Sequence, residues 1–133
     1  MRGMDVIRVD DLGKRYGRRV GVDDLSFRVE RGALFGFLGP NGAGKTSTIR
    51  MLLGLLRPSS GRATIFGLDV WKQSHRIKAD VGYVPGDLRL YPWMTGRNAT
   101  AIVGRARGMD LSACGRELGD EFRLDPDVPV RKM

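Results

Sequence analysis

The stretch Gly39-Pro-Asn-Gly-Ala-Gly-Lys-Thr46 constrains this chain more than any other part of its sequence. It satisfies the pattern Gly-x-x-x-x-Gly-Lys-[Ser/Thr], whose glycines let successive backbone N–H groups turn toward one point and surround an anion. An almost unbroken apolar run, residues 33–38, comes before it and is typical of a strand buried on both faces of a parallel sheet. Apolar residues recur at helical spacing after it, at Ile49, Leu52, Leu53 and Leu56. The sequence therefore predicts a strand–loop–helix unit that binds phosphate.

Two side chains of this loop suit a magnesium-bound nucleotide. Lys45 would bring a full positive charge to the β- and γ-phosphates, and the Thr46 hydroxyl is placed to ligate Mg²⁺. The N-terminus of the following helix would add partial positive charge. The alternative, a glycine-rich turn with a surface lysine, is disfavoured because a strand and a helix are predicted on the correct sides of the loop.

The other elements follow from local patterning. Strands are predicted at residues 6–9, 22–29, 63–66 and 81–85, with a loop carrying an exposed Tyr16 at residues 10–17. Pro58 and Gly61 are predicted to end the helix after the phosphate loop. Further helices are predicted near residues 71–79, after a capping Thr95, and at residues 110–124.

Composition narrows the function classes. The net charge is +8, yet the basic residues are scattered apart from Lys14–Arg15 and Arg18–Arg19, which argues against a nucleic-acid-binding protein. A single cysteine, Cys114, excludes an internal disulfide, fits a reducing compartment and is interpreted as a packing residue. No window has the length of apolar sequence that a membrane span needs. The lone histidine, His75, is interpreted as a surface residue.

The longer string at residues 39–47, Gly-Pro-Asn-Gly-Ala-Gly-Lys-Thr-Ser, resembles the phosphate loop of ATP-binding-cassette (ABC) ATPases. Residues 57–67 also resemble that family's stretch after the loop helix. The resemblance implies an α/β P-loop NTPase core with an N-terminal antiparallel β subdomain, the start of a helical subdomain and an incomplete sheet. Residues 1–133 would be the N-terminal part of one ATP-binding domain, with the β subdomain and loop core at 1–85 and the Q-loop region and helical subdomain from 86.

The resemblance also assigns site residues. Tyr16 lies where the family keeps an aromatic side chain that stacks on adenine. ATP and Mg²⁺ are the implied cofactors. The implied nucleotide contacts are Tyr16, Gly39, Pro40, Asn41, Gly42, Ala43, Gly44, Lys45, Thr46 and Ser47.

The sequence departs from the family pattern after Tyr83-Val-Pro85. The family has a glutamine next that contacts Mg²⁺ and the attacking water, whereas this chain has Gly86. Asp87 offers a carboxylate one residue later as a candidate Mg²⁺ ligand, or is a solvated loop acid. The ATP-sandwiching signature, the acidic Walker B strand and the switch histidine do not occur in the 133 residues. We therefore expect a truncated subunit that binds nucleotide and does not hydrolyse it alone.

Residues 86–96 resemble the branch of the family that serves drug, antibiotic or lipid exporters. The implied partners are a transmembrane permease subunit and a second ATP-binding subunit in a homodimer, on the inner face of the cell membrane. The region of Trp93 resembles the face that docks on the permease, although Trp93 would equally suit a core position. A regulatory or nucleic-acid-associated ABC protein is the alternative. A P-loop kinase or GTPase is disfavoured because no Asn-Lys-x-Asp base-recognition motif occurs.

Overall fold

The computed structural model describes residues 5–132, and residue 132 through its backbone alone. The chain divides into two compact units, Met1–Gly82 and Tyr83–Met133. The first unit holds a sheet with two helices, and the second unit is helical.

The sheet of the first unit has four strands in the order β2-β1-β3-β4, and every neighbouring pair is antiparallel. Strands β1 (Asp5–Tyr16) and β2 (Arg19–Glu30) form a long hairpin. The predicted loop at residues 10–17 is wrong, because β1 continues to Tyr16 and pairs there with Arg19. Strands β3 (Ser60–Ile65) and β4 (Leu68–Asp69) complete the sheet. The antiparallel N-terminal sheet agrees with the predicted β subdomain.

Helix α1 (Lys45–Leu52) and the residues after it pack on the core through most of the predicted face, because Leu53 is buried and Leu52 and Leu56 pack against the core cluster. Ile49 is 37% exposed, whereas Met51 is fully buried. The helix also ends before the predicted Pro58, because the chain turns at Gly54 with a positive φ of 62°. The core of the unit consists of Val9, Leu12, Val22, Met51, Ala63, Ile65, Val70 and Ile77, the last from helix α2 (Ser74–Asp80).

The predicted buried strand at residues 33–38 is wrong. The segment joins no ladder, and Leu34 and Leu38 are 104% and 92% exposed. Its aromatic residues Phe35 and Phe37 instead contact the Phe27 ring of β2, with ring centroids 5.2 and 5.6 Å away. An apolar strand is buried only when neighbouring strands cover it, and none of the strands in residues 5–132 pairs with this segment.

An ion pair network links β1 to β3 at the surface. Asp10 accepts hydrogen bonds from the side chains of Arg8 and Arg62. The Arg8 hydrogen bond, with the charges of both arginines, holds the pKa of the Asp10 carboxyl below its usual range despite some loss of hydration. Because the two arginines are exposed and Asp10 is only partly buried, the contribution of these ion pairs to stability is small.

The second unit contains α3 (Gly96–Arg107), α4 (Ser112–Glu121) and a short 3₁₀ helix (Val130–Lys132). The helix after Thr95 and the last helix were both predicted, and both are present.

Residues 81–85, which were predicted to form a strand, join no ladder. Cys114 is exposed on α4, so its interpretation as a packing residue is wrong. Arg97 holds Asp127 through two hydrogen bonds of 2.6 and 2.7 Å.

Within the described residues, no helix has both the length and the hydrophobicity needed to cross a membrane.

We predict that Thr95→Ala lowers the free energy of unfolding by about 1 kcal/mol. Thr95 accepts a hydrogen bond of 3.1 Å from the Asn98 amide, and the Asn98 side chain accepts from the Thr95 amide in return, which forms a capping box. Urea unfolding followed by circular dichroism measures the loss. Thr95→Ser keeps the hydroxyl and is the control; an equal loss in both variants would contradict the capping role.

Candidate functional site

The glycine-rich loop leads directly into helix α1. The loop turns at Pro40, whose carbonyl accepts from the Ala43 amide at 3.2 Å. Gly44 caps the helix with a left-handed backbone, φ 86° and ψ 5°. Such a conformation costs a residue with a Cβ about 1–2 kcal/mol, which explains glycine at this position.

The loop lies against strand β2 at Gly44. A Cβ added to Gly44 would lie 2.4 Å from the Gly21 carbonyl oxygen and 2.7 Å from a Val22 methyl group. Two backbones therefore touch where a side chain would separate them. This contact fixes the start of α1 relative to the β1–β2 hairpin.

Amides at the start of α1 are available to an anion. The first N–H groups of an α-helix have no acceptor within the helix. Intrahelical bonding begins at Thr48, whose amide donates to the Gly44 carbonyl at 2.8 Å. The three preceding amides, at Lys45, Thr46 and Ser47, therefore stand at the positive end of the helix dipole.

The Lys45 ammonium is held over the loop by backbone oxygens. Its Nζ donates to the carbonyls of Gly39 and Pro40, the latter at 2.7 Å. Two neutral carbonyls satisfy part of the hydrogen-bonding capacity of the ammonium and leave its charge uncompensated. Phosphate oxygens would offer it stronger, charge-assisted bonds.

Tyr16 ends strand β1 beside the loop. Its hydroxyl lies 3.0 Å from the Ser47 Oγ, so the ring is tied to the first turn of α1. The Lys14 ammonium lies 5.5 Å from the ring centroid and donates to the Arg57 carbonyl. The ring is 47% exposed, which leaves aromatic surface open to a ligand.

These groups surround one cavity of about 480 Å³, a volume within the usual range for small-molecule sites. It brings together much of the predicted nucleotide site: Tyr16, Asn41, Gly42, Gly44, Lys45, Thr46 and Ser47. The predicted contacts Gly39, Pro40 and Ala43 do not line it, although Gly39 and Pro40 hold Lys45.

The cavity also contains residues that sequence reasoning missed, namely Arg19, Val20 and Gly21 of strand β2. A predicted β-hairpin in this region would have identified these residues, because its strand pairing places Arg19 opposite Tyr16. Because residues 10–17 were predicted to form a loop, no strand partner was predicted for Tyr16.

Three further residues that the sequence analysis discussed, Gly86, Asp87 and Trp93, lie in the second unit. Gly86 and Asp87 are exposed in a turn after Pro85, whose carbonyl accepts from the Leu88 amide at 3.2 Å. Trp93 is 61% exposed and stacks on Tyr91 with ring centroids 5.6 Å apart, which excludes the core alternative. In the first unit, His75 is exposed, as predicted.

Comparison with known proteins finds that this chain is similar to one family. A family described as "ABC transporter" matches residues 22–129. The chain is 41% identical to the Nod factor export ATP-binding protein I of Ralstonia nicotianae, over 96% of this chain and 41% of that protein. It is 41% identical to the bacitracin transport ATP-binding protein of Bacillus licheniformis, over 78% of this chain and 34% of that protein.

A solved structure described as the ATP-binding subunit of an ABC transporter superposes with a TM-score of 0.76 and 30% identity, over 90% of this chain and 51% of that one. The predicted fold class is therefore confirmed. The chain spans less than half the length of the two relatives described above.

We predict that Gly44→Ala destabilises the chain by about 3 kcal/mol or more, because left-handed strain adds to a clash with the Gly21 backbone. Gly42→Ala is the matched control: its φ is 85°, but a Cβ there meets nothing within 4 Å. That variant should lose only about 1 kcal/mol. Urea unfolding of both variants gives the comparison, and equal losses would disprove the close contact.

Proposed function

Because the chain belongs to the ABC transporter family of ATP-binding domains, we propose that it binds Mg²⁺–ATP in the cavity between the β1–β2 hairpin and the phosphate loop. The observation that carries this proposal is the convergence of a cationic side chain, helix-terminal amides and an exposed aromatic ring on one cavity. The cationic side chain and the amides suit the phosphates of a nucleoside triphosphate, and the aromatic ring suits its base.

The phosphate end would lie at the start of α1. The amides of Lys45, Thr46 and Ser47 would bind phosphate oxygens, and the Lys45 ammonium would exchange its carbonyl partners for the β- and γ-phosphates. The base would stack on Tyr16. Aromatic stacking contributes about 1–3 kcal/mol per base without selecting strongly between bases.

The donor set of the cavity fits a magnesium ion that is bound mainly through the nucleotide. Thr46 supplies an exposed hydroxyl in the first turn of α1. No group of three or more His, Cys, Asp or Glu among residues 5–132 could form a protein-only metal cage. Mg²⁺ commonly binds through substrate phosphates, water and one or two protein oxygens. Asp87 does not line this cavity, and its role as a Mg²⁺ ligand stays a prediction.

We propose further that this chain does not hydrolyse ATP by itself, although its family consists generally of ATPases. The cavity is lined by no carboxylate and no imidazole from the described part of the chain. A general base must reach the attacking water directly or through one water molecule. The cavity therefore supplies binding and phosphate neutralisation, without a group that takes the proton.

The similarity to export and transport ATP-binding proteins supports a role as part of a transporter's ATPase subunit. We propose that the parent protein couples hydrolysis to export of a drug, antibiotic or lipid, paired with a second ATP-binding subunit on the cytoplasmic face of a membrane permease. The exposed Tyr91–Trp93 pair supports docking on such a partner. A regulatory or nucleic-acid-associated ABC protein is the alternative, which a second cassette in the same polypeptide would favour.

We predict that Lys45→Ala weakens Mg²⁺–ATP binding by about 10- to 100-fold, because charge-assisted hydrogen bonds to phosphate are lost. Isothermal titration calorimetry measures the change. Lys78→Ala on α2 removes the same charge from an exposed position that does not line the cavity, and should bind ATP normally. Equal binding by both variants would contradict the proposed role of Lys45.

We also predict no steady release of phosphate from ATP by the purified chain at saturating nucleotide. A coupled phosphate assay, with Lys45→Ala as the blank for contaminating ATPases, measures the rate. Turnover that disappears in this variant would show that the chain contains a sufficient catalytic group.

A further inference from the structure

We propose that Arg19 is a second cationic contact for the phosphate chain of the bound nucleotide, on the wall of the cavity formed by strand β2. This inference rests on the proposed function and adds to it a residue outside the phosphate loop. It follows from the hairpin register, from the charges that line the cavity and from the hydrogen-bonding state of the guanidinium.

The register puts Arg19 on the same face of the hairpin as Tyr16. The two residues are directly opposed in the antiparallel pair, immediately beside the turn formed by Gly17 and Arg18. Side chains of directly opposed residues project from the same face of the sheet. Arg19 and Tyr16 both line the cavity, whereas Arg18, in the turn, does not.

Arg19 and Lys45 are the two charged side chains among the residues that line the cavity. The Lys45 ammonium already donates to two backbone carbonyls. In the described part of the chain, the Arg19 side chain makes no hydrogen bond or ion pair that would neutralise it. Its surroundings add to the positive potential, because residues 14–19 contain four basic residues and no acid.

A guanidinium in this position suits a phosphate. Its planar donors match two oxygens of a phosphate group, which gives both attraction and orientation. Tyr16 is tied to Ser47 at the first turn of α1, so the face that carries Tyr16 and Arg19 is continuous with the anion-binding amides. Arg19 can therefore contact a phosphate chain that those amides hold.

The test compares Arg19→Gln with Arg18→Gln in the full chain. Both variants remove one positive charge from neighbouring exposed residues, so they share any long-range electrostatic effect. Calorimetry measures the binding of ATP, ADP, AMP and adenosine in about 0.05 M and about 0.5 M NaCl. The two salt concentrations distinguish a direct contact with phosphate from a long-range electrostatic effect, which salt screens. Far-UV circular dichroism confirms that each variant keeps the fold of the unsubstituted chain.

We expect Arg19→Gln to weaken ATP binding by about five- to tenfold at both salt concentrations, while adenosine binding is unchanged. Arg18→Gln should cause a smaller loss that disappears in the higher salt. The shortest phosphate chain still affected, among ATP, ADP and AMP, identifies the phosphate that Arg19 contacts.

Equal effects of the two variants, or a loss that extends to adenosine, would overturn the role of Arg19 as a phosphate contact. If Lys45→Ala weakens ATP binding while Arg19→Gln does not, the inference about Arg19 fails and the proposed function stands. If the unsubstituted chain binds no ATP, both fail together.

Discussion

The contact between the Gly44 backbone and the Gly21 carbonyl is the constraint on which the site depends. It lets the phosphate loop approach strand β2 more closely than any residue with a Cβ would permit. Helix α1 starts at this contact, and the same turn buries Thr48, whose hydroxyl donates to the Gly44 carbonyl at 3.0 Å. One helical turn later, Met51 enters the core of the unit. The amides at the start of α1 are therefore held in place relative to the sheet by contacts at both ends of a short helix.

The same contact explains how two separate parts of the sequence make one cavity. Arg19 of strand β2 and Lys45 of the phosphate loop both line the cavity. The hydrogen bond between Tyr16 and Ser47 joins the end of strand β1 to the first turn of α1. The resulting cavity is cationic and lacks an acidic lining among the described residues. This chemistry favours the binding and neutralisation of phosphates. The cavity offers groups that suit nucleotide phosphates, whereas none of the described residues that line it carries a carboxylate or an imidazole.

Local sequence signals predicted the features that depend on local interactions. The phosphate motif, the helix that follows it and the N-cap at Thr95 are determined by residues a few positions apart, and all are present. The buried strand at residues 33–38 was predicted wrongly because its burial depends on strands elsewhere in a sheet, which hydrophobicity alone does not supply. Arg19 was missed for a related reason: its position in the cavity follows from pairing with Tyr16, and the residues around that pair were interpreted as a loop. Ile49, which was predicted on the buried face of α1, is exposed, and Met51 is buried, because spacing alone does not define which residues at the edge of a helical face meet the sheet.

The central claim is that the hairpin and the phosphate loop act as one preformed nucleotide site. Titration of the isotope-labelled chain with Mg²⁺–ATP, followed residue by residue in amide NMR spectra, tests it most directly. The account predicts that the amide signals of Tyr16, Arg19 and Gly21 shift together with those of Gly44 to Ser47 and saturate with a single dissociation constant. Shifts confined to the loop, with the hairpin signals unchanged, would contradict it.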